Sequence, residues 1–208
     1  MQHYRNTSSL NINAYGNCQY LDRRWQFGGW RTPMQIMNTA LGYGLVSKLF
    51  HWGMAVLLSI AFILGVLSEH NDNSLLLNTH NWLGLVLLGM VLFRLSWRFI
   101  GIVPKTLPAP IWQIRLARLV FILLYLMMFL APISGYLLLN IEGEALSFLG
   151  ATLPQIIEAR PDAEKLAHNL HGLSADLLLY GTVLHLLAAL YHHYFRKDKT
   201  LLRMLPNW

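Results

Sequence analysis

"HNLHGLSADLLLYGTVLHLLAALYHH", residues 168–193, sets five of the chain's nine histidines into a stretch otherwise dominated by Leu and Ala. An imidazole inside an apolar helix costs free energy unless its ring nitrogens find partners. His171 and His185 are fourteen residues apart. At about 100° per residue they fall within roughly 40° of one helix face, about 21 Å apart along it. His168 lies about 100° off that face. One helix therefore presents two imidazoles in nearly one direction at two depths.

The rest of the chain makes those depths membrane depths. Of 208 residues, 55% are hydrophobic and only 12% charged, a balance too apolar for a soluble domain of this length. Four apolar segments, near 46–68, 80–99, 117–140 and 170–195, each approach or exceed the roughly 20 residues a helix needs to cross hydrocarbon. Gly65, Gly84, Pro132 and Gly181 are tolerable inside them, because neighbouring helices satisfy the freed backbone groups. The predicted fold is all-α, an integral membrane four-helix bundle over residues 41–208. Residues 1–40 are rich in Asn, Ser, Gly and Arg without an apolar period and read as a poorly ordered extension. They lack the apolar core and cleavage site of a secretory signal. A translation start at Met34 or Met37 is an alternative that N-terminal sequencing of the native protein would exclude. The single cysteine, Cys18, leaves no internal disulfide, Cys-ligated cluster or CxxCH haem attachment.

The net charge of +6 comes from Lys and Arg scattered between apolar runs, with no groove-lining patch for nucleic acid. Arg5, Arg23, Arg24, Arg31 and Lys48 precede or open the first segment. Arg94, Arg98, Lys105, Arg115 and Arg118 surround the second connection, and Arg196, Lys197, Lys199 and Arg203 follow the fourth segment. All fall on one side of the membrane. The other side holds Arg160 and Lys165 against Glu69, Asp72, Glu142, Glu144, Glu158, Asp162 and Glu164. The positive-inside rule then predicts cytoplasmic N- and C-termini and a main outer loop over 141–167.

In that orientation His51 opens the first segment near the inner side and His80 opens the second near the outer side. The depths match in pairs, His51 with His185 and His80 with His171. Two histidines from different helices at one depth suit a b-type haem, with one imidazole on each face of the iron. Zinc would want three or four close ligands. A proton relay would recruit more acids than Asp176 alone. Arg94 follows His80 by fourteen residues, which makes it a candidate partner for an inner haem propionate; the alternative is snorkelling at the interface. Gly65, Gly84 and Gly181 would admit a macrocycle or serve helix packing. His3, His70, His168 and His193 have surface or interfacial readings. His192, seven residues past His185 and back on the ligand face, could sit near a cytoplasmic substrate pocket, on the side where Lys105, Arg115 and Arg118 gather. The alternative there is a basic rim at the headgroups.

At "LFHW", "THNWLG" with Arg94 beyond it, "LAPISG", and "LHGLSADLLLYGTVLH" followed by "HHYFRKDKTLLRMLP", the chain resembles the bacterial cytochrome b561 family over about residues 44–206. The resemblance implies a four-helix protein of the bacterial inner membrane with two non-covalent b haems, His51 and His185 on one, His80 and His171 on the other. It also implies electron exchange with ubiquinone, to whose carbonyls Lys105, Arg115, Arg118 and His192 are the candidate donors, with superoxide as one source of electrons. The acid-rich outer loops disfavour an anionic donor and leave a protein or another reductant as the outer partner. Two rivals stand beside this reading. One is a haem-bearing anchor subunit of a multisubunit dehydrogenase, against which the short outer segments argue. The other is a transporter, against which the absence of ionisable residues from Phe121 to Gly135 argues.

Overall fold

The computed structural model describes residues 10–12, 18–20, 35–71, 73–148 and 151–205. Its elements begin with two short strands, β1 (Leu10–Ile12) and β2 (Cys18–Tyr20), paired antiparallel with Leu10 opposite Tyr20. Most of the expected N-terminal extension lies outside the described residues. Its last part, from Gln35, is a loop tied to the membrane part: Leu45 N–H donates to the Gln35 carbonyl and Lys105 N–H to that of Ala40.

Four helices come next along the chain: α1 (Leu45–His70), α2 (Ser74–Ile100), α3 (Ile111–Ile141) and α4 (Glu164–Tyr194). Each is long and apolar enough to cross a membrane. They form the expected all-α bundle but outrun the apolar segments, because capping rather than hydropathy sets their ends. Asn38 stands in as a cap for α1, its side-chain oxygen accepting from Gly44 N–H at 2.9 Å and from the Ser47 hydroxyl at 2.7 Å. Asn73 caps α2 by accepting from Leu75 N–H. Pro110 precedes α3, and Glu164 puts a carboxylate at the positive end of the α4 dipole. Beyond α4, Lys197 takes a left-handed φ of 52° and Asp198 N–H reaches back to the His192 carbonyl at 3.1 Å, closing the helix as a Schellman turn normally does with glycine.

The helices pack as two neighbouring hairpins, α1 with α2 and α3 with α4, joined through α2 and α3. Met127 and Ala131 of α3 meet Leu178 of α4 in the core, with Leu58, Leu123, Leu124 and Met128 around them. Val91 of α2 is fully buried. Large apolar side chains such as Val56, Ile63, Leu92, Leu119, Ile122 and Leu187 point outward. A solvent of water would punish that surface and a bilayer rewards it.

The ends of the bundle differ. At one, here called the loop end, residues 142–163 carry a short hairpin, β3 (Ser147–Phe148) with β4 (Ala151–Thr152). Asn140, only 1% exposed, pins this loop by accepting from Ile156 N–H at 2.7 Å while donating to the Tyr136 carbonyl at 2.7 Å. The Tyr136 hydroxyl donates to the Pro154 carbonyl. At the other, the strap end, residues 196–205 fold back across the helices. Arg196 donates to Gln113 of α3 at 2.6 Å, Arg203 to the Lys105 carbonyl at 2.7 Å, and the Trp52 indole of α1 to the Met204 carbonyl at 2.8 Å. Replacing Asn140 by Leu strands the Ile156 N–H, a loss of about 1–3 kcal/mol. The expected result is a lower melting temperature in detergent and faster proteolysis within 142–163.

Candidate functional site

His51 of α1 and His80 of α2 each sit on the second turn of their helix. His80 is thus deeper than the first turn that its apolar segment predicts, because α2 starts at Ser74. At the strap end the rings of His51 and His185 face each other with centroids 6.1 Å apart and planes at 81°. At the loop end those of His80 and His171 are 6.0 Å apart at 79°. The two pairs are those the depth argument predicts.

Each loop-end ring lies in the same kind of cradle. His80 Nδ1 is 2.8 Å from the Ala61 carbonyl of α1, and a Cβ built on Gly65, one turn further on, would come within 2.9 Å of the ring. His171 Nδ1 is 3.0 Å from the Ala131 carbonyl of α3, and a Cβ on Gly135 would again come within 2.9 Å. The motif is Ala-x-x-x-Gly both times, "AFILG" at 61–65 and "APISG" at 131–135. The alanine carbonyl takes the ring N–H and the glycine lets the ring approach. Since that carbonyl can only accept, Nδ1 carries the proton and Nε2 is left with its lone pair free. Ser134 adds a second acceptor, its Oγ 3.2 Å from His171 Nδ1 while its proton goes to the Ala131 carbonyl. Pro132 contributes to neither bond. Gly84 and Gly181 pack instead against Pro132 and Leu124 of α3.

Beside the loop-end rings lies a partly open apolar cleft, lined by His80 and His171 with Leu58, Gly84, Leu87, Met128, Leu146 and Leu178 among others. At the strap end Arg94 lies beside the His51/His185 pair, its Nη1 3.2 Å from His51 Nδ1 and 4.0 Å from Met54 Sδ. A second cleft adjoins it, lined by Tyr43, Ser47, Arg94, Trp97, Arg98 and Tyr125 among others. Its walls include stacked rings, Phe50 on Phe93 at 4.3 Å, and Arg98 sits 4.3 Å over Phe121. The Trp97 indole N–H is buried there and is the one such side-chain donor among the described residues without a hydrogen-bond partner.

His192 is engaged elsewhere, its Nδ1 2.5 Å from Asp198 Oδ2, and it does not line either cleft. Arg115 and Arg118 are exposed on α3. At the loop end, burial and the nearby Glu144 and Glu164 push the Glu142 carboxyl up, with His168 pulling the other way.

Two imidazoles on opposite faces of one iron, at about 2 Å per metal–nitrogen bond, bring their centroids about 6 Å apart. Both pairs have that spacing, and apolar space with small residues adjoins the loop-end pair. No group of three or more His, Cys, Asp or Glu among the described residues could hold a metal ion by itself. A group that supplies most of its iron's donors itself, as haem does, would need from the protein only such pairs of imidazoles.

Membrane helices that bring imidazoles together in pairs at two levels of an apolar bundle define a membrane cytochrome b. The chain belongs to the prokaryotic cytochrome b561 family, whose profile matches residues 42–207. Cytochrome b561 homolog 2 of Escherichia coli (strain K12) is 33% identical over 179 residues, 83% of this chain and 95% of that protein. Homolog 1 of the same strain is 36% identical over 100 residues, 48% of this chain and 57% of its own length. A protein named probable superoxide oxidase CybB of Yersinia pestis is 35% identical over 117 residues, 56% of this chain and 65% of its own length. The aligned parts thus span under two thirds of the latter two relatives. Haem b is the cofactor of the family.

Asp198 gives a pH prediction for the strap. Partial burial acts to raise its carboxyl, but hydrogen bonds from Thr200 and His192 outweigh it and hold the group at about 2, below its ordinary 3.8. A folded value below the unfolded one means the stabilisation is complete above about pH 4. It is lost as pH falls through about 2. Asp198→Asn removes it at every pH. Tryptic cleavage at Lys197 and Lys199 at neutral pH should then quicken about two- to fivefold, the range of a partly exposed ion pair.

Proposed function

We propose that the chain is a di-haem cytochrome b of the bacterial inner membrane that passes single electrons between an outer-side donor and a quinone near the cytoplasmic side. The observation that carries this is the two ring pairs, 6.1 and 6.0 Å apart, one towards each end of the bundle. His51 and His185 hold one haem, His80 and His171 the other, and the basic strap end faces the cytoplasm. Bound haem supplies a one-electron iron couple. The protein's share is to fix the imidazole tautomers through Ala61 and Ala131, to keep water out with Leu and Met walls, and to set positive charge, Arg94, beside the inner pair and a propionate.

For the quinone, ubiquinone by the family's habit, the strap-end cleft replaces His192 as the candidate site. A quinone is a flat ring bearing carbonyl acceptors, and this cleft offers aromatic walls with Trp97, Arg98, Tyr43 and Tyr125 as donors. The outer donor is a neutral or cationic reductant or a protein. Superoxide, suggested by the name of the Yersinia relative, is the second reading. It would meet Glu69, Glu142, Glu144, Glu158, Asp162 and Glu164 against Arg160 and Lys165, and Arg160 is already paired with Asp162 at 3.7 Å. A haem-bearing anchor subunit is the alternative that copurification of a soluble dehydrogenase would favour.

The deciding experiment is a dithionite-reduced minus oxidised spectrum with a pyridine haemochrome count. Two b haems per chain are expected, and none under haem-replete expression would overturn the proposal. Gly135→Ala, which crowds His171, should lower the count towards one. Trp97→Phe should keep both haems and raise KM for a short-chain ubiquinone about tenfold, the loss of one buried hydrogen bond.

A further inference from the structure

The strap-end cleft has one wall that does not come from the helices. Residues 35–44 run across the start of α1 and the end of α2. They are held there by Leu45 N–H on the Gln35 carbonyl at 2.8 Å, Lys105 N–H on that of Ala40 at 3.1 Å, and a turn closed by Thr39 N–H on the Gly42 carbonyl at 2.9 Å. A Cβ on Gly44 would run into the Ile36 and Met37 carbonyls, which are backbone and cannot step aside, so the path of the segment is fixed closely. Asn38 is thereby set into the lining of the cleft, with Tyr43, Ser47, Trp97 and Arg98 among its neighbours there.

The partners of the Asn38 amide settle which way it points. Gly44 N–H can only donate, so the amide atom 2.9 Å from it is the oxygen, and the Ser47 hydroxyl donates to that same oxygen at 2.7 Å. Oδ1 is used up by the start of α1, and Nδ2, with two N–H donors, is left over. It lies against the end of α2, 3.6 Å from where a Cβ on Gly101 would stand. Gly101 N–H donates to the Trp97 carbonyl at 2.9 Å, which puts Trp97 one turn back along the same helix. The buried Trp97 indole N–H has no acceptor either. Both donors belong to a cleft in which no lining side chain is a carboxylate that could take them, and a buried donor left unmet is costly.

Resting on the reading of this cleft as a quinone site, we infer that Asn38 is one of its binding residues. Nδ2 donates to a carbonyl oxygen of the quinone ring, while Oδ1 stays bound to Gly44 and Ser47 and holds the donor in place. One side chain thus caps α1 with one atom and meets the ligand with the other. The two parts are separable, because an aspartate at this position would still accept from Gly44 and Ser47 but would offer no N–H.

The test is equilibrium dialysis of a short-chain ubiquinone against the purified, haem-loaded full-length protein in detergent, with melting temperature and haem count recorded for each variant. The wild type should bind saturably. Asn38→Asp should bind about tenfold more weakly, the loss of one buried hydrogen bond, with melting temperature and haem count kept. Asn38→Ser, which is neutral and too short to reach, should show the same loss; it separates the missing donor from the added charge and carries the test if Asn38→Asp fails to fold. The inference is overturned if both variants bind as tightly as the wild type, or if binding falls only in step with melting temperature, the mark of a helix cap and nothing more. Absent binding in the wild type, or undiminished binding in Trp97→Phe, removes the quinone reading of the cleft and the inference with it. Weaker binding in Trp97→Phe beside unchanged binding in both Asn38 variants removes the inference alone.

Discussion

An imidazole in hydrocarbon needs something at each of its two nitrogens, and most of what is distinctive in this bundle comes from meeting that need. Backbone carbonyls of a membrane helix are already used by the helix, so a second bond to one requires another helix to come very close. Ala61 and Ala131 allow that approach from the acceptor side, and Gly65 and Gly135 clear the ring's path. With Nδ1 so engaged, the ring stands 6.0 Å, centroid to centroid, from the matching histidine of the other hairpin.

The strap end meets the need differently. Arg94 is one of few charges inside the apolar spans, and its guanidinium would be costly there without a partner. His51 and Met54 receive it, and the adjoining cleft gathers Arg98, Tyr43 and Tyr125 with no carboxylate among its lining side chains.

Much of this was legible in the sequence, and what was not has a physical reason. Apolar runs of membrane length gave four helices, and the 3.6-residue period gave the two histidine depths and put Arg94 near the one that His51 and His185 share. Helix ends were misjudged because Asn38, Asn73 and Pro110 set them beyond the apolar runs. Ala61 and Ala131 were missed because their contribution is a carbonyl, which no side-chain pattern displays. The repeated Ala-x-x-x-Gly was the signal available. His192 looked free because helical periodicity reports the face a residue shares. It cannot show that the chain doubles back to bring Asp198 against it.

The cradles also bear on how the protein is put together. Each lies within one hairpin, Ala61 and Gly65 beside His80 in α1–α2, Ala131 and Gly135 beside His171 in α3–α4, so each hairpin can prepare its half of a site alone after insertion. Both ring pairs, by contrast, join one hairpin to the other. In lipid there is no hydrophobic force to draw two such hairpins together, so a group ligated from both sides, as proposed here, would act as a rivet. Cofactor supply and assembly would then be one linked equilibrium, with haem adding to the packing that already joins the two hairpins.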